Sequence, residues 1–150
     1  MNRALKIGIL EGDDIGLEVV PETIKVMRAA AQKTGLQVEW FPLPIGRKAY
    51  DELGYTLPPG TLDKLDTYDG WVLGPIGHQA YPKGLPNAIN PHPILRKHYD
   101  LFANIRPAKS YPGLPALYND VDLIFVRENN EGFPPDRNVY MGSGEFRPTP

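Results

Sequence analysis

Apolar residues in this chain fall in short runs punctuated by glycine and proline, and the period of the runs changes along the sequence. Leu5-Lys6-Ile7-Gly8-Ile9-Leu10 is a short apolar stretch that predicts a strand, and Glu11-Gly12-Asp13-Asp14-Ile15-Gly16 has turn composition. From Leu17 to Thr34 the period becomes helical, with Val19, Val20, Thr23, Ile24, Met27, Ala30 and Ala31 on one apolar face. Pro21 falls in the first turn of that helix, where a missing N–H costs little, and Gly35 supplies its stop. Leu36 to Phe41 alternates apolar and polar, as a strand does. Gly46 to Leu53 and Thr61 to Leu65 read as short helices around the Leu57-Pro58-Pro59-Gly60 turn, and Trp71-Val72-Leu73 as a brief buried strand. Strand, helix, strand, helix, strand predicts an α/β layer with parallel strands.

The pattern then loosens. Gly74 to Pro93 is a long loop of Gly, Pro, Asn and His, and loops of that length inside a domain are usually functional or mobile. A short helix around Ile94–Tyr99 and a strand-like Leu101–Ile105 follow. Val121–Val126 is a strongly apolar strand that ends at Arg127-Glu128-Asn129, and beyond Asn130 the chain is polar and rich in Gly and Pro. There is no internal repeat, and no linker divides the chain. The closing Arg147-Pro148-Thr149-Pro150 reads as a connection leading onward rather than as the end of an element.

Composition narrows the function classes. The 150 residues suffice for one ordinary domain, with 41% hydrophobic and 23% charged residues. A net charge of -2, without a basic stripe, gives no reason to expect nucleic acid. The absence of cysteine excludes disulfides, zinc–thiolate sites and cysteine nucleophiles. No apolar run approaches a membrane span, and the N-terminus leads into a strand without a secretory signal, so the expected location is cytoplasmic. The 17 prolines and 15 glycines are spread through loops rather than repeated.

Several residues could carry chemistry. A strand, a Gly-rich turn and a helix make a generic anion-binding arrangement, but Gly12 to Gly16 is neither a GxGxxG nor a Walker fingerprint, and its two aspartates repel phosphate. On spacing alone it reads as a tight strand-to-helix connection. Arg96, Arg106 and Arg127 lie on a short helix and at two strand ends. Guanidinium forks bind carboxylates bidentately, and three together suit a substrate with two or three carboxylates. Arg127 stands out because it ends a very apolar strand, where ligands of α/β sheets usually bind. His78, His92 and His98 are too unevenly spaced to indicate a metal. Glu128 and Glu131 could orient Arg127, but they do not have the spacing of a complete divalent-cation site.

Four segments then go beyond generic composition. Gly12-Asp13-Asp14-Ile15-Gly16-Leu17-Glu18-Val19 resembles the GDGIGPEV opening of the β-decarboxylating dehydrogenases, the isocitrate/isopropylmalate dehydrogenase family, which includes tartrate dehydrogenase. Gly74-Pro75-Ile76-Gly77 resembles its GPVGG loop. Leu95-Arg96-Lys97 with Asp100-Leu101-Phe102-Ala103-Asn104-Ile105-Arg106-Pro107 resembles its LRK…DLFANLRP segment, which is highly specific. Val126-Arg127-Glu128-Asn129-Asn130-Glu131-Gly132 resembles its VRENTEG strand end. The four keep the family order and span essentially the whole chain.

That resemblance implies the N-terminal part of a parallel-strand, three-layer α/β fold, incomplete here. It implies oxidation of a malate-type 2-hydroxy acid (isocitrate, isopropylmalate or a tartrate-like acid) by NAD or NADP, and decarboxylation with Mg²⁺ or Mn²⁺. The metal ligands are expected outside this chain, as are a catalytic lysine and the adenosine-binding loops. The partner expected is a small di- or tricarboxylic hydroxy acid, with a homodimer in the complete protein, and neither nucleic acid nor membrane. By the same resemblance Arg96, Arg106 and Arg127 hold the substrate carboxylates and Asn90 lines the substrate pocket. Asn90 and His92 stand where isopropylmalate enzymes carry leucines, which favours a polar substituent. Ile15, Gly77 and Ile89 are assigned to the cofactor surface. Two departures matter. Pro134 occupies the position of the family's catalytic tyrosine, which leaves Tyr140 as the substitute, and Asp14 and Leu17 replace the opening motif's Gly and Pro. The rival readings are a non-catalytic polycarboxylate-binding module and a subunit fragment that works against a partner chain.

Overall fold

The computed structural model describes residues 3–129, 139–142 and 145–148, the last two segments as backbone. It divides the chain into two compact units, Met1–Pro93 and Ile94–Pro150. The boundary falls inside a helix rather than at a linker, so composition alone does not mark it.

The first unit is built on three strands, β1 (Leu5–Leu10), β2 (Val38–Pro42) and β3 (Gly70–Leu73), in the order β2-β1-β3 with both pairings parallel. Helix α1 (Gly16–Thr34) joins β1 to β2, and α2 (Gly46–Leu53) and α3 (Thr61–Leu65) join β2 to β3. The predicted α/β layer is therefore present. Val20 and Ile24 of α1 are buried against Ile9, with Met27, Trp40 and Val72 packed around them. Alternation along β1 sends Gly8 to the opposite face. There a Cβ on Gly8 would meet Leu65 and Tyr68 at 3.1 Å, and Tyr68 stacks on Phe41 at 4.8 Å. Helices thus cover both faces of the sheet.

The apolar face of α1 is narrower than its sequence suggests. Val20, Ile24, Met27 and Ala31 turn inward, whereas Val19, Thr23 and Ala30 are exposed, because only one strip of the helix reaches a three-stranded sheet. Pro21 also sits in the second turn rather than the first, since the helix begins at Gly16. Its missing N–H is one that an unbroken helix would use. Gly35 closes the helix as expected, in the left-handed region at φ 72°, with Leu36 N–H donating to the Ala31 carbonyl at 2.9 Å. The second strand starts at Val38, because the Leu36 N–H is used in that cap. The strand read at Trp71–Leu73 starts at Gly70 and is half-buried rather than buried. Arg3 and Lys6 N–H both donate to the Asp69 carboxylate, and the Arg3 contact is the main cause holding that carboxyl below its usual range.

Within the second unit, α4 (Pro91–His98, which begins just before the boundary) leads to β4 (Ala103–Lys109) and β5 (Asp122–Glu128). These pair antiparallel over seven residues, from Ala103 opposite Glu128 to Lys109 opposite Asp122. The first of these strands was expected at Leu101–Ile105. It begins later because Asp100, at φ 46°, turns the chain after α4. Although β5 is as apolar as its sequence indicates, every one of its residues is exposed, with Ile124 at 63% and Val126 at 68%. A second antiparallel pair, β6 (Val139–Gly142) and β7 (Glu145–Pro148), lies in the stretch read as merely polar.

Candidate functional site

In the first unit the C-terminal ends of three parallel strands deliver three loops to one edge of the sheet, the usual place for ligands in such folds. The loops are packed backbone on backbone. Gly12 is at φ 78°, and a Cβ there would lie 2.1 Å from the Pro75 carbonyl oxygen. The Asp13 N–H donates to that same oxygen at 2.7 Å, tying the loop after β1 to the loop after β3. Asp14 takes φ 48°, a conformation that Asp tolerates better than most residues, so the opening turn keeps its shape without the glycine of the related motif.

Asp13 is only 5% exposed, and its carboxylate is the hub of the edge. Oδ1 accepts the Arg47 N–H at 2.6 Å, and Oδ2 accepts the Gly77 N–H at 2.8 Å and the Tyr81 hydroxyl at 2.5 Å. Arg47 is in the first turn of α2, so a carboxylate of the chain itself holds the position where a helix N-terminus would otherwise attract an anion. The reading of Gly12 to Gly16 as a connection rather than a phosphate loop thus has a physical basis. The Arg47 guanidinium donates in turn to the Ala80 carbonyl. A cleft of about 430 Å³ opens beside this hub, lined by Asp14, Leu17, Arg47, Lys48, Gly77 and Tyr81 among others.

A second anchor holds the far end of the long loop. Thr56 is fully buried, and its hydroxyl donates to the Ile89 carbonyl at 2.7 Å and accepts the Ile89 N–H at 3.0 Å. Its own N–H donates to the Asn87 carbonyl at 3.0 Å, and its carbonyl accepts the Gly46 N–H at 2.8 Å. Sequence reasoning assigned no role to Asp13, Tyr81 or Thr56. The only available signal was that Asp13 is an acid between glycines in a turn, and its three partners lie 34 to 68 residues away.

Of the residues assigned to the cofactor surface, Gly77 lines the cleft and Ile15 is half-exposed at the start of α1. Ile89 is partly exposed at the loop's anchored end. Asn90 lies beside it, and its side-chain oxygen accepts the His92 N–H at 3.1 Å, capping α4.

The substrate-type arginines belong to the second unit. Asn104 pairs with Arg127 and Arg106 with Phe125, so Arg106 and Arg127 share one face of the β4–β5 ribbon as diagonal neighbours. Such neighbours lie about 7–8 Å apart at the backbone. Both are exposed, and Arg106 Nε donates to the Asn104 side chain at 3.1 Å. Arg96 is in the last turn of α4. Its carbonyl accepts the Leu101 N–H at 3.0 Å, and the Asn129 side chain donates to the Leu101 carbonyl at 3.0 Å. The Asn129 N–H donates to the Phe102 carbonyl at 2.9 Å, so the helix end carrying Arg96 is fixed two residues past Arg127. Arg127 lies at the end of an apolar strand, as expected, but that strand belongs to the antiparallel β4–β5 ribbon and not to the α/β sheet of the first unit. Arg127 is placed by pairing with the start of β4. Tyr140 lies in β6, outside the residues whose side chains are described, and Pro134 lies outside the described residues altogether.

Among the described residues, no three His, Asp, Glu or Cys side chains gather as a metal site, and no helix is long and apolar enough to cross a membrane.

Tyr81 provides a direct check on the hub. Burial is the main cause raising its hydroxyl pKa above the ordinary value near 10, followed by its bond to Asp13. A raised folded pKa means that the stabilisation is complete below pH 10 and is lost as pH rises further. Denaturant melts at about pH 8 and about pH 11 are therefore expected to show a larger alkaline loss for the wild type than for Tyr81→Phe. Equal losses would mean that the phenol is not held as described.

Comparisons with known proteins agree with one another. The family model for isocitrate/isopropylmalate dehydrogenase matches residues 6–144. A 3-isopropylmalate dehydrogenase of Methanothermobacter thermautotrophicus is 32% identical over 97% of this chain, which covers 39% of that protein. One of Burkholderia multivorans is 38% identical over 84% of the chain, covering 37% of its length. Among solved structures, the isocitrate dehydrogenase of Methylococcus capsulatus superposes with a TM-score of 0.71 at 32% identity, over 97% of this chain and 42% of that one. The chain thus spans well under half the length of these relatives. On the match of the family model over residues 6–144 and the identity to these relatives, the chain belongs to the isocitrate/isopropylmalate dehydrogenase family.

Proposed function

We propose that the protein oxidises and decarboxylates a malate-type 2-hydroxy acid with NAD or NADP and a divalent Mg²⁺ or Mn²⁺ ion, and that this chain supplies the carboxylate grip and one wall of the cofactor site. The observation that carries the reading is the placement of Arg106 and Arg127 on one ribbon face, with the helix end bearing Arg96 hydrogen-bonded to the base of that ribbon. Two guanidinium forks at this spacing suit the carboxylates of one small diacid. The paired forks fix which carbon of the acid faces outward.

The residues of the cleft fit part of a dinucleotide. A Cβ at Gly77 would lie 2.6 Å from Asp14 Oδ2, so the backbone there is bare and close to the cleft wall. With Asp13 filling the α2 N-terminus and Asp14 on the wall, this edge suits a nucleoside end rather than the phosphates. When bound, the nicotinamide would accept hydride and the divalent ion would stabilise negative charge on the substrate oxygen.

The test follows NADH absorbance in the whole protein with isocitrate, isopropylmalate and tartrate, each with Mn²⁺. Arg127→Lys is expected to weaken binding of the accepted acid by roughly ten- to a hundredfold, because a point charge does not replace a bidentate fork. Unchanged binding would remove Arg127 from the site. Binding of the acid without any turnover would favour the polycarboxylate-binding reading.

A further inference from the structure

We infer that Tyr81 is a positioning residue for the dinucleotide, acting through Asp13 to hold the turn from Gly77 to Tyr81 against the cleft. The inference rests on the proposed cofactor reading of this edge and adds to it the device that sets its geometry.

The turn is gripped from two sides. Asp13 Oδ2 accepts both its first N–H, from Gly77, and its last side chain, the Tyr81 hydroxyl. The Arg47 guanidinium donates to the Ala80 carbonyl, and the Arg47 N–H donates to the other oxygen of Asp13. Asp13, Arg47, Ala80 and Tyr81 thus close a ring of contacts around a short 3₁₀ turn, His78–Ala80. Inside the turn, Ala80 N–H donates to the Gly77 carbonyl at 2.9 Å and Tyr81 N–H to the His78 carbonyl at 3.2 Å. Tyr81 is 6% exposed, whereas His78, Gln79 and Ala80 are exposed. The ring is therefore a buried latch beneath a solvent-facing segment. After Tyr81 the chain is exposed through residues 82–86, until Asn87 meets Thr56. Without the latch, nothing described between Gly77 and Asn87 other than the Arg47 contact fastens this stretch to the sheet edge. A segment held before ligand arrives loses less conformational freedom on binding, and that saving appears as affinity.

The Phe variant removes one hydroxyl and leaves the ring to fill the same space. Three measurements on the whole protein and Tyr81→Phe test the inference: the dissociation constant for NADH by fluorescence, that for the hydroxy acid by calorimetry, and amide exchange. NADH affinity is expected to fall about five- to tenfold, a part of the worth of one hydrogen bond to a charged acceptor, while hydroxy-acid affinity stays within about twofold. Exchange at the Ala80 and Tyr81 amides should accelerate. If Tyr81→Phe does not fold, Arg47→Met, at an exposed position, loosens the same turn at Ala80 and should move NADH affinity and exchange in the same direction. NADH affinity equal to wild type, or equal losses for both ligands, would overturn the inference and leave Tyr81 a purely structural residue. A wild-type protein that binds no dinucleotide would overturn the cofactor reading itself, and the inference with it. That outcome is visible before any variant is made.

Discussion

Asp13→Ala is expected to destabilise the first unit by about 3–5 kcal/mol, among the largest losses available to a single polar substitution here. The truncation strands three donors at once: the Arg47 and Gly77 N–H groups and the Tyr81 hydroxyl. A buried donor left without a partner costs about 1–3 kcal/mol. The three losses are not additive, because the adjoining cleft can admit water to some of these groups. The Tyr81 hydroxyl, on a residue 6% exposed, is the least able to find a substitute. Asp13→Asn should fall between wild type and alanine, since the amide keeps one accepting oxygen but places an N–H₂ where a donor already points. Denaturant unfolding followed by tryptophan fluorescence measures the series. An alanine variant within about 1 kcal/mol of wild type would show that the hub is replaceable by solvent.

Gly74→Ala should cost about 3 kcal/mol or more, for a different reason. Its Cβ would lie 1.9 Å from the Glu11 carbonyl oxygen and 2.8 Å from Val20 Cγ2. The oxygen belongs to backbone that cannot move without parting the loops after β1 and β3, which the Asp13–Pro75 hydrogen bond joins. Gly35→Ala serves as the comparison. Nothing lies within 4 Å of a Cβ there, so its cost is only the left-handed backbone at φ 72°, about 1 kcal/mol. Thermal melts of the two variants separate steric closure from backbone strain. Similar melting temperatures would mean that the loops at the sheet edge yield to a methyl group.

These two sites also show what the sequence could and could not tell. The strands and helices of the first unit were readable because each is set by local periodicity: Gly46–Leu53 and Thr61–Leu65 appear where the pattern placed them. The three arginines stood out in the sequence as guanidinium forks on a helix and at strand ends, and the resemblance grouped them, but the sharing of one ribbon face by Arg106 and Arg127, 21 positions apart, follows from an antiparallel register that local periodicity does not report. Asp13 was legible as a turn residue but not as a hub, because its partners come from the first turn of α2 and from the loop after β3. Exposure of β5 was illegible for a related reason. A continuous apolar run reports what a strand can bury, whereas the burial achieved depends on what packs against it. The division at Pro93 left no mark because it falls within a continuous helix.

The bare ribbon of β4 and β5 has a consequence for how the chain behaves when stressed. A two-stranded ribbon is marginally stable by itself in water, whereas the three-stranded sheet of the first unit has helices on both faces. Local opening of this stretch of chain is therefore expected first in residues 103–128 and last in β1, an order that native-state amide exchange would read. What the ribbon presents among the described residues is Leu123-Ile124-Phe125-Val126, four consecutive exposed residues of high strand propensity and no charge, paired with β4. Such a segment is a template for another copy of itself. The residues that decide whether this chain stays dispersed are accordingly not the ones that decide whether it folds: the first set lies on β5, and the second around Asp13 and Ile9.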